Sequence, residues 1–287
     1  MTALRAGRDF PIVDVHTHLF PERLFAAVRA WFSEHGWRFT YPTEPEAVAA
    51  ALHARGVERF WFFNYAHKPG MARDLNRWNA QTAARLPNAL ALGTVHPADD
   101  DLMAIAEEAA DRLCLPGFKL HLDVQRFALD DSRLAPFLAW AEDRGCVLMI
   151  HGGTAASHFE PARLGIGPFR RVLRTHPRLR VIVAHMGAYE VDEFLALARN
   201  HEDVWLDTCF SFRNDRGSPP PYSYGVTSDL DALDGARDRI LFGSDFPNIP
   251  FDWQTEVDEI LRLDLGEAFA RKVFHENARA LMKRLGC

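Results

Sequence analysis

Cysteine is scarce in this chain: four among 287 residues, at 114, 146, 209 and 287. No two lie close together, so zinc-finger, paired-thiol redox and disulfide-framework classes have no support. The four read as free thiols in a reducing compartment. An excess of basic charge is missing too. Lys and Arg number 33 against 39 Asp and Glu, for a formal net charge of −6. That leaves nothing to neutralise a phosphate backbone, and a nucleic-acid partner is not expected. No apolar run approaches the roughly 18 residues a membrane span needs. Arg5, Arg8 and Asp9 interrupt the stretch where a secretory signal would have its apolar core. The expectation is a cytoplasmic protein with no membrane partner. A Gly-x-Ser-x-Gly elbow is absent, so His151-Gly152-Gly153 is not an esterase oxyanion loop. Gly165-Ile166-Gly167 lacks the third glycine of a dinucleotide fingerprint, and there is no Gly-Lys-Ser/Thr phosphate loop. At 48% hydrophobic and 25% charged, the composition is that of an ordinary globular protein rather than a disordered or fibrous one.

Eight short apolar, β-rich runs can be marked, at 12–18, 57–65, 89–96, 117–124, 147–153, 181–187, 204–211 and 240–247. Their spacing leaves room for one helix and two loops between neighbours. Helical patterns cover 102–113, 134–144, 169–176 and 191–200. Thr43-Glu44-Pro45-Glu46 reads as a capping box opening a helix over 47–55, which Gly56 closes. Strict alternation of strand and helix predicts a parallel sheet, and eight units suggest closure into a (β/α)₈ TIM barrel. The expectation is one domain over the whole chain, with a barrel core at about 12–265 and a C-terminal helical segment at 266–285. Two connections are long: 19–42 after the first strand, rich in Trp and Phe, and 212–228 after the seventh, with Pro219, Pro220, Pro221, Tyr222 and Tyr224. Long loops in a compact domain are usually functional. Trp31 and Trp37 read as lid packing.

What the chain has in quantity is histidine, 13 residues. Six stand at or near the ends of expected strands: His16, His18, His96, His121, His151 and His185. A barrel collects its catalytic groups on that face. Alternation puts Asp14, His16 and His18 on one face of the first strand, so that two imidazoles point the same way and can share one ion. Val147-Leu148-Met149-Ile150-His151 and Val181-Ile182-Val183-Ala184-His185 each end an apolar run in histidine, and Gly243-Ser244-Asp245 ends the eighth strand in a carboxylate. Imidazoles plus a carboxylate suit zinc, manganese or iron. Cys209, at the end of strand seven, reads as a buried, inert thiol.

These residues carry a resemblance. Asp14-Val15-His16-Thr17-His18, His151, His185 and Gly243-Ser244-Asp245-Phe246-Pro247 resemble the amidohydrolase superfamily, and more closely its amidohydrolase-2 branch of aminocarboxymuconate-semialdehyde decarboxylase-like enzymes. Gly117-Phe118-Lys119-Leu120-His121 and His275-Glu276-Asn277-Ala278-Arg279-Ala280-Leu281 are similar to that branch as well. The resemblance implies a metal-bearing barrel, with His16, His18, His151 and Asp245 as ligands. It implies His185 beside the metal-bound water or substrate as acid/base or orienting group. It also implies a homodimer, and one divalent ion, zinc first, with manganese or iron as alternatives.

Lys119 admits three readings: carboxylated and bridging a second metal, as in binuclear members; an ammonium holding a substrate carboxylate; or paired structurally with Asp14 or Asp123. One ion is expected, with Lys119 and His121 facing the substrate. The leading functional expectation is hydrolysis of an amide, lactone or similar carbonyl. Metal-bound water supplies hydroxide near neutral pH, Asp245 accepts its proton and His185 steadies the oxyanion or protonates the leaving group. Asp14 is expected either to orient a ligating imidazole or to serve structure. The alternative is non-oxidative decarboxylation, or hydration, of an unsaturated or aromatic acid. That reaction needs a cation for the departing carboxylate, from Lys119, Arg126, Arg213 or Arg216.

Overall fold

Each apolar run begins a strand, within one residue, in the computed structural model, which describes residues 10–154, 161–212 and 229–287. The strands are β1 (Ile12–His18), β2 (Val57–Phe63), β3 (Ala89–Ala91), β4 (Gly93–Thr94), β5 (Gly117–His121), β6 (Val147–His151), β7 (Arg180–Val183), β8 (Val204–Asp207) and β9 (Ile240–Leu241). The third expected strand is split at Leu92 into β3 and β4. All pairings are parallel. The order runs β1-β2-β3 in one sheet and β4 to β9 in sequence in the other.

The two sheets meet at both ends. β3 leads straight into β4. At the other seam, Val15 N donates to Phe242 O at 2.9 Å, Asp245 N to His16 O at 2.8 Å and His18 N to Phe246 O at 2.8 Å. The architecture is therefore the expected α/β parallel barrel.

Alternation sorts the apolar side chains into two layers. Val13, Val15, Trp61, Met149, Ile182 and Leu241 fill the barrel, together with Leu281 and Met282 from the C-terminal helix Asn277–Leu285. Phe60, Phe118, Leu148 and Leu206 face outward and pack under helix residues such as Leu75, Phe137 and Phe194. Each such side chain, fully buried, contributes roughly 1.5–3 kcal/mol.

Several local expectations change. The segment 19–42 is not a plain loop, because Glu22–His35 forms a helix. The capping box does not form. Glu44 is the N-cap, Pro45 takes the first helical position, and no side chain caps the helix Pro45–His53, because proline's fixed φ suits that position. Ala72–Arg85 and Gln254–Arg262 are helices with no counterpart among the expected ones. The expected loop 212–228, with Arg213, Arg216 and its prolines and tyrosines, lies outside the described residues beyond Phe212. No helix among the described residues is long and apolar enough to cross a membrane.

Candidate active site

The first strand does not alternate cleanly. Asp14 pairs with Phe60 and Thr17 with Phe62, so three steps on β1 match two on β2. This is a β-bulge, which re-aims the side chains beyond it. Val13 and Val15 point into the barrel interior. Asp14 bonds instead to Ser244 Oγ at 2.5 Å, Ser244 N at 3.1 Å and Trp253 Nε1 at 3.4 Å. The expected common face of Asp14, His16 and His18 is thus broken. Asp14 anchors the loop that carries Asp245, and its one bond to His16 is to the backbone N–H at 3.1 Å, not to the ring.

His16 and His18 turn toward each other, with Nε2 atoms 3.3 Å apart. Asp245 Oδ1 lies 2.7 Å from His18 Nε2 and 3.4 Å from His16 Nε2. Three donors converging this closely fit a divalent cation. Two imidazole nitrogens facing at that distance need a proton or a cation between them. Asp245 adopts φ 60°, a left-handed backbone that Asp and Asn tolerate better than most residues.

The partner of His16 is a residue the sequence reading missed. Its Nδ1–H donates to Asp207 Oδ2 at 2.7 Å, which fixes the tautomer and leaves the Nε2 lone pair for a cation. Asp207 Oδ1 also accepts from His185 N at 2.9 Å, Cys209 N at 3.3 Å and Cys209 Sγ at 2.8 Å. Asp207 ends an apolar strand as His151 does, and that signal was available in the sequence. Gly243 keeps this wall thin: a Cβ there would stand 2.7 Å from His16 Cβ. Gly243→Ala is therefore expected to displace the His16 ring and weaken metal retention by about ten- to a hundredfold, measured by metal analysis after dialysis.

His185 follows β7 in a left-handed turn, with φ 54°. It makes ring contact with both His16 and His151, centroids 5.1 and 4.6 Å away. His185 Nε2 is 3.1 Å from His151 Nδ1. Of the four expected ligands, then, His16, His18 and Asp245 share one cluster, and His151 presents a nitrogen to His185. His121 stacks on His151 at 3.9 Å and meets the Tyr65 ring at 4.7 Å. His96 is separate from this group, its Nδ1 accepting from Ala98 N at 3.1 Å. Cys209 is buried as expected, but it lies within the cluster, its Sγ 3.0 Å from His185 Nδ1 and 3.2 Å from His16 Nδ1. Trp37 Nε1 donates to Asn248 O at 2.6 Å.

Lys119 is fully buried, and among the described residues its Nζ has no hydrogen-bond acceptor. It sits 4.7 Å over the Phe63 ring. The expected structural pairing with Asp14 or Asp123 does not occur. Asp14 is spent on Ser244 and Trp253, and β5 ends at His121, so Asp123 lies in the helix Leu122–Gln125 and off the strand's alternation.

Burial lowers the Lys119 ammonium to about 8, against the pull of Asp207, Cys209 and Asp245. Burial also lowers His16 to about 4, against the attraction of Asp207, and pushes His121, His151 and His185 below the usual histidine value. Burial alone would raise Asp245, but His18 and the other imidazoles outweigh it and hold the carboxyl at about 2. The same balance, led by His16, keeps Asp207 below the usual carboxylate range. Near neutral pH the cluster therefore holds two carboxylates, one ammonium and several neutral rings.

Between the usual histidine value of 6.5 and about 4, the unfolded chain takes up a proton that the native His16 ring refuses, so stability falls as pH drops through that window. Below it the ring is cationic and a poor ligand. Metal loss and a falling thermal midpoint are expected together as pH approaches about 4, checked by dialysis and thermal unfolding across that range.

No curated protein matches the chain in sequence. Solved structures match in fold. An uncharacterized TIM-barrel protein from Bordetella bronchiseptica aligns at TM-score 0.76 and 21% identity, over 97% of this chain and 100% of that one. The 2,6-dihydroxybenzoate decarboxylase from Rhizobium aligns at TM-score 0.67 and 19% identity, over 96% and 99%. The 5-carboxyvanillate decarboxylase from Novosphingobium aromaticivorans, complexed with manganese and 4-hydroxy-3-methoxy-5-nitrobenzoic acid, aligns at TM-score 0.68 and 16% identity, over 99% of each chain. A family model described as amidohydrolase matches residues 13–284, and with the barrel and the strand-end histidines already in place, the chain belongs to the amidohydrolase family.

Proposed function

We propose that this protein catalyses metal-dependent, non-oxidative decarboxylation of an aromatic or unsaturated carboxylic acid. The observation that carries the reading is Lys119, a buried ammonium with no acceptor among the described residues. A buried charge left unpaired is costly, and a substrate carboxylate would complete it. Two of the similar structures are decarboxylases of aromatic acids by name, which supports placing this reaction ahead of hydrolysis.

His16, His18 and Asp245, joined by His151, would hold the ion, with zinc and manganese both suited to this set. When bound, the ion supplies positive charge that steadies electron density developing on the substrate. Lys119 and His121 orient the acid. His185, neutral at rest, takes up a proton and delivers it to the carbon as the bond to the carboxylate breaks and carbon dioxide leaves. The net proton comes from solvent. The substrate is a small molecule, and a cytoplasmic homodimer remains part of the proposal.

The test is a panel of hydroxybenzoates, unsaturated acids, lactones and N-acyl compounds, given to protein loaded with zinc or manganese. Carbon dioxide release from an acid is the expected result. Turnover of a lactone or amide alone, with no carbon dioxide, would sink the reading in favour of hydrolysis.

Lys119→Met separates anchoring from folding. Below about 8 the native ammonium carries its full burial cost, and stability rises with pH between about 8 and the usual lysine value of 10.5. The variant is expected to stabilise the metal-free protein at pH 7 by on the order of 3 kcal/mol, seen as a higher thermal midpoint, while losing decarboxylation.

A further inference from the structure

His151 and His185 leave their strands on loops that are tied together behind the site. Every residue from His185, at φ 54°, through Met186, Gly187 and Ala188 to Tyr189, at φ 65°, has left-handed or positive-φ backbone. That conformation is unfavourable for residues other than glycine, so neighbouring segments have to hold the turn. His185 N donates to Asp207 Oδ1 at 2.9 Å, and Thr154 N, from the loop that follows His151, donates to Ala188 O at 3.1 Å.

Behind these loops stand two buried rings, Phe169 of the helix Ile166–Thr175 and Phe194 of the helix Val191–Asn200. A Cβ at Gly152 would lie 2.6 Å from the Phe169 ring, and one at Gly187 would lie 2.0 Å from the Phe194 ring. The two rings meet edge to face, with centroids 5.0 Å apart at 88°. One continuous stack, Gly152–Phe169–Phe194–Gly187, thus runs from the residue after His151 to the turn that carries His185. In front of it, His185 Nε2 and His151 Nδ1 are 3.1 Å apart. His185 Nδ1 faces the Cys209 carbonyl oxygen at 3.2 Å. A carbonyl only accepts, so Nδ1 carries the His185 proton, His185 Nε2 accepts and His151 Nδ1–H donates. The His151 Nε2 lone pair is left for a cation.

We propose that Phe169 and Phe194 are positioning residues for this histidine pair: pressing on Gly152 and Gly187 from behind, they set the distance at which His185 holds the His151 ring toward the metal. An interior packed this densely passes a displacement on rather than absorbing it. Phe169 cannot retreat from a bulkier residue 152 without driving Phe194 into Gly187, where no room is left. The His151 loop has to yield instead, and the ring contact opens. The effect on metal retention rests on His151 being a ligand, as in the proposed function; the effect on the ring contact does not.

The experiment compares wild type with Gly152→Ala, Phe169→Leu, the double variant of the two, and Phe194→Leu. Ring-nitrogen NMR signals of His151 and His185 are recorded with and without zinc, assigned through His151→Gln and His185→Gln, and zinc affinity is measured by chelator competition. Gly152 does not have positive φ, so the Phe169 ring is the main obstacle to alanine there. Gly152→Ala is expected to shift both ring signals and to weaken zinc binding about ten- to a hundredfold. Leucine lacks the outer ring carbons Cε2 and Cζ that alanine would strike. The double variant is therefore expected to return the signals and to recover zinc affinity to within about threefold of wild type. His35, His53 and His275, on other elements of the fold, should keep their signals in every variant, whereas a general loosening would move them together with the thermal midpoint. Phe194→Leu adds no bulk and is expected to shift the His185 signal, which keeps the test open if Gly152→Ala does not fold. Unmoved ring signals in Gly152→Ala or in Phe194→Leu overturn the proposal. So do shifted signals that Phe169→Leu fails to restore, since the cause then lies in the backbone. Restored signals with zinc affinity unchanged throughout support the positioning role and remove His151 from the ligand set.

Discussion

Asp245→Asn is expected to lower kcat/KM by about a thousandfold or more, since it removes the anionic donor of the proposed metal centre, whose ion would supply several kcal/mol of charge stabilisation, and about 4 kcal/mol is a thousandfold. Asparagine is the informative choice. It tolerates the left-handed φ of 60° at this position, so the backbone of the loop can stay in place. The amide keeps an oxygen near His18 Nε2, now 2.7 Å from the carboxylate, but neither its negative charge nor its proton affinity. Metal content and turnover have to be measured on the same sample. Retained metal with lost turnover assigns Asp245 a proton-carrying role, and loss of both assigns it to holding the ion. Turnover within a factor of about ten of wild type would remove it from the chemistry altogether.

Asp207→Ala is expected to be the most destabilising single change in the centre, by about 3–5 kcal/mol. Four donors converge on this carboxylate: His16 Nδ1, His185 N, Cys209 N and Cys209 Sγ. All are buried, so none can turn to bulk water instead, and an unsatisfied buried donor costs about 1–3 kcal/mol. Asp207→Asn should be milder for folding and still damaging to the site. Its amide can accept the bonds made to Oδ1, but an NH₂ group would then oppose His16 Nδ1. The ring proton would be driven to Nε2, where it blocks the lone pair meant for the cation. A ten- to hundredfold weaker metal affinity with a modest change in the unfolding midpoint is the expected pattern. Urea unfolding and metal competition on the two variants measure both effects, and wild-type metal affinity in Asp207→Asn would disprove the tautomer argument.

The barrel was legible because its strands are short apolar runs of β-branched and aromatic residues, and burial on both faces leaves such runs unmistakable. The helix Ala72–Arg85 was not, because its inward face is polar. Asn76, Asn79 and Thr82 are buried there, with Asn76 bonded to Thr94 and Asn79 to Leu92 O and Asn64. A helix that packs through amides carries no hydrophobic period to read. Of the histidines at strand ends, His16, His18, His121, His151 and His185 gather at one mouth because a barrel brings equivalent strand ends together, while His96 stands apart. Asp14 departs from the expected common face because a bulge interrupts the alternation of the first strand, and a single extra residue reverses which face a side chain takes. Asp207 was passed over because a carboxylate after an apolar run is less conspicuous than a histidine. Its importance comes from contacts with residues 191 positions away, a distance along the chain at which one sequence carries no pairing signal.

The seam between the first and last strands has a consequence for synthesis. Asp14 waits for Ser244, 230 residues downstream, and the amides of Val15 and His18 wait for Phe242 and Phe246. At ribosomal speeds of roughly 5–20 residues per second, that delay is on the order of ten to fifty seconds. Throughout it the nascent chain presents an unpaired β1 edge, the kind of template on which neighbouring chains add strands. Shielding by a chaperone until residues 242–246 emerge would therefore matter more to the yield of native protein than the stability of the finished barrel.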